Sequence, residues 1–387
     1  MATYKSIRYI VPVEAVEHTD SINALSDVDT DTTAPTDGQI LKWNNTTSKW
    51  YPGDVEETSG LTTTLGIIVA GFYDMSYYDV NSNIYISNTG TISSVSYTNE
   101  VGMGDGATYG GDKGILIGQG FSMYSGTATG TAQKNLVSNT GVVGSDVTIT
   151  TDAISGLAIY DGRLSGLTYG GDKCIFGWGV IVKGSNTSQY LEVQKSFLVS
   201  NTGVQGSDVS LPTDSHREAC IGTGYGGDKG IVIYGRGVTA ITYNSPNTYT
   251  NLDGRANLIS NTGVVASETA CAGTRRHAGS GGEYGGDKAI TAYGYQSNND
   301  FSSNTNQINT ISNTGVVSSD TTGVGTARRN TTYTRYGTDK GIFFSGGDSN
   351  LNVYQVYNLV SNTGVVATDT STTIDGRGHA LSCGYGS

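Results

Sequence analysis

Five Asp-Lys pairs are the first residues to consider, because a carboxylate beside an ammonium group could serve acid–base catalysis or a metal site. They are Asp112-Lys113, Asp172-Lys173, Asp228-Lys229, Asp287-Lys288 and Asp339-Lys340. Each ends a Tyr-Gly-Gly-Asp-Lys signature, with Thr338 in place of the second Gly in the fifth copy. A reaction needs its acid once, whereas a turn residue is needed in every repeat, so these pairs are expected to be turn chemistry. Calcium-binding Gly/Asp repeats recur about every nine residues, and that period is absent.

Other candidate groups are also repeated or isolated. An Arg stands eight residues before the Tyr of the turn at Arg217, Arg276 and Arg328, and again as Arg377 before Tyr385. Repetition predicts a tie to backbone or to a turn Asp. His18, His216, His277 and His379 lack metal-ligand spacing. Cys174, Cys220, Cys271 and Cys383 are far apart, which predicts small buried residues made in a reducing compartment and neither disulfide nor metal site. No nucleophile elbow or phosphate loop is present. A pair of glycosidase carboxylates has no fixed spacing, so a polysaccharide-degrading enzyme stands as an alternative. The expectation is a chain that is not an enzyme and takes no cofactor.

Composition narrows the elements that hold these residues. The 387-residue chain has 56 Gly, 25 Tyr and only 14% charged residues. That balance predicts short strands joined by tight turns. A formal charge of −12 disfavours nucleic acid and anionic membrane surfaces. No apolar run is long enough to insert in a membrane.

The repeats predict the fold. Tyr-Gly-Gly-Asp-Lys recurs at Tyr109, Tyr169, Tyr225, Tyr284 and, as the variant, Tyr336. Ser-Asn-Thr-Gly starts at Ser87, Ser138, Ser200, Ser260, Ser312 and Ser361. Repeats of this length suit four-stranded propeller blades. Each blade reads as strand one, the Gly-Gly-Asp turn, strand two, a long loop, strand three, the Asn-Thr-Gly turn and strand four, the last placed at Val142-Val143 and its equivalents. The prediction is all-β: a six-bladed propeller over 61–387, with Arg377–Tyr385 supplying the inner strand that Leu65–Phe72 lacks. Such pairing leaves no open blade edge.

Residues 1–60 carry neither signature. Gln39–Trp43 and Lys49–Asp54 predict a small hairpin with Trp43 and Trp50 on its two arms, suited to attachment or to joining copies of the chain.

Two resemblances follow. The strand order and the Arg positions, with His379-Ala380 after the last, resemble the kelch family of β-propellers. The paired Gly after strand two appears only as Gly346-Gly347, and the Trp of strand four is missing. Leu25–Val28, Pro35–Trp43 and Lys49–Gly53 resemble a module of tailed-phage virion proteins, above all fibre-like ones. Repeats with Tyr-Gly-Gly-Asp-Lys and Ser-Asn-Thr-Gly-Val-Val resemble those of marine phage structural proteins. The resemblance implies a virion protein, commonly trimeric, whose N-terminal segment binds other virion proteins. Its propeller would display a surface for host adhesion as in a tail fibre, or serve as a head fibre or capsid decoration protein.

Topology places the candidate binding surface. The short turns share one face, where the N-terminal segment enters, and the loops between strands two and three share the other. Those loops vary in length and carry Tyr124, Tyr190, Tyr243, Asn244, Tyr249, Asn298 and Asn299. Tyr gives contact area at small entropic cost and Asn adaptable polar contacts, so these residues are candidates for binding a host-surface glycan or protein.

Overall fold

A computed structural model describes residues 26–30, 32, 34, 40–53, 63–71, 82–96, 101–120, 132–149, 158–159, 164–182, 190–192, 195–212, 217–238, 249–297, 303–350 and 352–386. The chain divides into two compact units, Met1–Glu57 and Thr58–Ser387. Six four-stranded antiparallel sheets form a six-bladed β-propeller.

The first blade closes the ring. Its inner strand is Leu381–Tyr385, followed outward by Leu65–Val69, Ser82–Ile86 and Ile92–Ser96. Leu65 pairs with Tyr385 and Val69 with Leu381, so the pairing predicted from the two ends of the repeat region is present over five positions. The second blade begins with Val101–Tyr109 and Lys113–Gly120. The inner strands of blades 3 to 6 are Ser165–Tyr169, Ile221–Tyr225, Ser280–Tyr284 and Thr332–Tyr336. Each inner strand lies beside those of its two neighbours, so the six surround the axis.

Strand two of each blade is the hydrophobic layer. Ile115, Ile175, Ile231, Ile290 and Ile342 are fully buried, as a strand covered on both faces requires. Strand four differs from expectation. Val143 makes only an isolated bridge to Val137, and the paired strand comes later, at Val147–Thr148. Thr269–Ala270, Thr321–Thr322 and Thr370–Ser371 are likewise displaced and two residues long. The cause is a local step out of register: Gly144 N–H donates back to the carbonyl of Leu136, as do Ala266 to Leu258 and Ser318 to Thr310. Short, irregular outer strands also discourage edge-to-edge pairing.

The two signatures lock together between blades. The N–H of the turn's first Gly donates to the carbonyl of the next blade's Asp: Gly110 to Asp172, Gly170 to Asp228, Gly226 to Asp287 and Gly285 to Asp339. Gly337 to Thr64 and Gly386 to Asp112 complete a belt of bonds 2.6–2.8 Å long. The Tyr of each turn stands against the Gly of the next blade's Ser-Asn-Thr-Gly; a Cβ on Gly263 (φ +83°) would lie 2.9 Å from the Tyr169 ring. The Ser hydroxyl holds that turn, Ser260 Oγ accepting from Val264 N–H at 3.1 Å.

In the N-terminal unit, Ile40–Asn44 pairs with Lys49–Gly53 in the expected hairpin, with Trp43 opposite Trp50. Asn44 Oδ1 accepts from the N–H groups of Thr46 and Thr47, which sets the polar turn. Val28 lies parallel beside Trp50 and extends the hairpin into a small sheet.

Candidate functional site

The loop face is built from strands two and three running past the blade body. In blade 2 they continue unbroken until Gln119 pairs with Ala132. In blade 3, after a break at Trp178-Gly179, Val180–Val182 pairs with Tyr190–Glu192, and Ala158–Ile159 adds a third strand. In blade 4, after Tyr234-Gly235, Arg236–Val238 pairs with Tyr249–Leu252. Blades 5 and 6 keep single bridges, Tyr295 to Asn304 and Gly347 to Val353. The loops read from sequence are thus, in blades 2 to 4, rooted in β-ribbons of unequal length. In blade 4 the connection between strands two and three thus holds two strand segments of its own before strand three begins at Arg255.

Each break needs unusual backbone. Trp178, Tyr234, Tyr293 and Ser345 have φ between +50° and +64°, and Gly235, Gly294 and Gly346 follow at +101° to +111°. A non-Gly residue there costs on the order of 1 kcal/mol, so packing must hold it. It does: Arg276 lies over the Tyr234 ring with Cζ 4.7 Å from its centre, and Arg328 lies over Tyr293 at 4.0 Å. The pair with this conformation in blade 6 is Ser345-Gly346, one residue before the Gly346-Gly347 singled out from sequence.

The repeated Arg residues are structural ties, fully buried in the crossovers between blades. Arg328 donates from Nε to the Ser345 carbonyl at 2.6 Å and from Nη2 to Asn358 Oδ1 at 2.5 Å. Arg377 donates from Nη1 to the Ser82 carbonyl at 2.7 Å. Burial pushes the Arg377 guanidinium down to about 10. The Asp-Lys pairs are also local, Lys113 to Asp112 at 2.7 Å and Lys340 to Asp339 at 2.8 Å. Among the described residues no group of three or more His, Cys, Asp or Glu is placed to hold a metal ion.

Sequence reasoning missed a third repeat, an Asn in strand three with an acid eleven residues later. Asn135 Nδ2 donates to Asp146 at 2.7 Å, Asn309 to Asp320 at 3.0 Å and Asn358 to Asp369 at 2.9 Å. The acid also receives the crossover: Thr326 N–H and Oγ1 donate to Asp369 Oδ2. The constant spacing was the signal, since the Asn and the acid bracket each of these Ser-Asn-Thr-Gly-Val-Val segments.

On the loop side the residues after Arg217, Arg276 and Arg328 form a polar floor. Glu218 pairs with Arg236 at 2.5 Å. His277 meets the Tyr295 ring edge-on at 5.1 Å, and Arg329 covers Tyr295 with Cζ 4.6 Å from its centre. All five side chains are buried, so this layer supports what stands above it.

Of the predicted binding residues, Tyr190 and Tyr249 can be placed by backbone. Tyr190 pairs with Val182 and Tyr249 with Val238. Val182 follows Gly177 by five positions and Val238 follows Ile233 by five, so both Tyr occupy the same register on adjacent ribbons. Tyr124, Tyr243, Asn244, Asn298 and Asn299 lie outside the described residues. Trp43 and Trp50 meet edge-to-face at 5.4 Å, 43% and 39% exposed, leaving an aromatic surface on the small sheet.

No family model matches the sequence, and no curated protein matches it. Among solved structures, that of YjhT is similar to this chain with a TM-score of 0.51 at 10% identity, covering 75% of this chain and 91% of that one. At that identity the likeness shows the β-propeller fold.

Proposed function

We propose that the chain is a structural protein of a tailed-phage virion. Its N-terminal unit joins other virion proteins, and its propeller binds a glycan or protein of the host cell surface, as a tail fibre does. The observation that supports this most is the inequality of the two propeller faces. One face repeats the same neutralised turns around the ring. The other raises ribbons of unequal length, two of which bring Tyr190 and Tyr249 to matching heights. Loops and ribbons on a rigid scaffold are where recognition is generally carried. The half-exposed Trp43/Trp50 pair supports assembly of the N-terminal units, as a homotrimer.

The test uses the purified full chain. It is expected to bind host cells and to compete with infection, and antibody label is expected at the tail of the particle. Label confined to the capsid would replace the reading with head fibre or decoration protein. Absence of both binding and competition would overturn the adhesion reading. Shortening of host envelope polysaccharide would replace it with hydrolysis. Sedimentation at the monomer mass with residues 1–60 intact would remove the trimer.

A further inference from the structure

Asp105 departs from the repeat in two ways. Its strand, Val101–Tyr109, carries a bulge: Gly102 pairs with Gln119 but Asp105 with Ile117, so two residues oppose one. Gly104 makes this possible, since a Cβ there would fall 1.8 Å from the Ile117 carbonyl oxygen. The other inner strands pair in regular register. Bulges re-aim side chains, and this one sits at the loop-face end of the strand.

The equivalent position elsewhere is neutral. Four residues before the turn Tyr stand Ser165, Ile221, Ser280, Thr332 and Leu381. The hydroxyls tie each blade to the next: Ser165 Oγ donates to the Cys220 carbonyl at 3.1 Å, and Thr332 Oγ1 to the Ala380 carbonyl at 3.1 Å. Asp105 makes the same kind of tie with a carboxyl. Oδ2 accepts from Gly166 N–H of blade 3 at 2.8 Å, and Oδ1 from Gly106 N–H at 2.8 Å.

We propose that Asp105 is a proton-controlled tie between blades 2 and 3 at the root of the loop face. The strands packed against its own are Lys113–Gly120, Ser165–Tyr169, Lys173–Gly177 and Leu381–Tyr385. Their titratable groups are Lys113, Tyr169, Lys173, Cys174, Cys383 and Tyr385, with Tyr109 on its own strand. The Lys and Tyr residues lie at the opposite, turn end. The two Cys thiols are fully buried and pushed up by that burial, and so are neutral. The carboxyl therefore has two N–H donors and no cation beside it among the described residues. Burial outweighs those donors and pushes it up to about 7.

A carboxyl with a folded-state value above its unfolded one favours folding when protonated, and this advantage is lost as pH rises from the unfolded value through the folded one. The seam thus costs the fold less in mild acid, where the carboxyl is neutral, than above neutrality, where its charge is held away from water. This holds whether or not the loop face binds a host surface.

The test compares the full chain with Asp105→Asn, which keeps an acceptor and cannot titrate. The parent's thermal midpoint is expected to fall between about pH 5 and about pH 8, and the variant's to fall less. The same fall in the variant would assign it to other groups, such as the His residues, and overturn the proposal. In the parent itself, carbon-13 spectra of the Asp side-chain carboxyls are expected to show one signal titrating near neutrality. If every Asp carboxyl titrates below about pH 5, the proposal is overturned even if the variant does not fold.

Discussion

Gly386 donates its backbone N–H to the carbonyl of Asp112 across 2.8 Å, completing the belt of turn-to-turn bonds around the propeller. The same terminal strand fills the inner place of blade 1, where it covers Ile67 and Val69. Removing residues 381–387 should therefore open the ring. The expected loss is on the order of 5 kcal/mol or more, with exposed strand edges that aggregate. Calorimetry and sedimentation would check it, and a truncated chain that melts like the parent would refute it.

The contact between Tyr169 and Gly263 separates turn chemistry from mere exposure. Gly263→Ala must place a side chain at φ +83° and against the Tyr ring. It should cost roughly 1–3 kcal/mol. Val264, next in sequence and 65% exposed, should tolerate Ala within about 0.5 kcal/mol. Denaturant unfolding of the two variants should rank them in that order.

Arg328 should prove hard to replace. Its buried guanidinium makes several directional bonds at once and covers the Tyr293 ring. Arg328→Met leaves Asp369 without its cation and should cost roughly 3–5 kcal/mol. Arg328→Lys should recover little, because an ammonium group cannot reproduce the planar fork. Combining Arg328→Met with Asp369→Asn should cost less than the sum of the single changes, as a double-mutant cycle would show.

Asp369 also sets an acid limit. Burial alone would raise its carboxyl, but hydrogen bonds from Thr326 and Asn358, together with Arg328, outweigh burial and hold it below its ordinary 3.8. Asp320 is held down in the same way by Thr274, Asn309 and Arg276. A depressed carboxylate contributes stability that is present above its unfolded value and lost as pH falls through the folded one. Unfolding free energy should thus drop below about pH 4, less steeply in Asp369→Asn. Equal slopes in acid titrations would contradict this.

Tyr190 and Tyr249 should matter for binding and not for the fold. Either single change to Ala is expected to weaken host-cell binding about 5-fold to 10-fold, a typical loss for one aromatic contact. The thermal midpoint should stay unchanged. Undiminished binding by the double variant would remove these two residues from the proposed surface while leaving the adhesion reading open to the cell-binding test.

Much of the architecture was legible because each repeat states its own turns. Gly-Gly-Asp and Asn-Thr-Gly mark positions where φ must be positive, and counting them gives six blades and a Leu65–Phe72 run that lacks its inner strand. The predicted strand four fell short because register in an outer strand depends on a one-residue step, here at Gly144 and its equivalents, which no alternation of side chains marks. The Asn–acid spacing was legible but its hydrogen bonds were not, and neither were the Tyr residues under Arg276 and Arg328 or the Glu218–Arg236 layer. Each joins groups whose proximity exists only after strands pair or blades meet.

The sequence by itself thus determined the number of blades, the closure by a strand within Arg377–Tyr385 and the structural role of the Asp-Lys turns, because these rest on local backbone demands repeated around a ring. Tertiary structure alone decided that Gly386 reaches Asp112, that Asp105 bridges two blades, and that Tyr190 and Tyr249 share a register. Those relationships arise between segments far apart in the chain, and only packing sets the distances and the burial that give them chemical meaning.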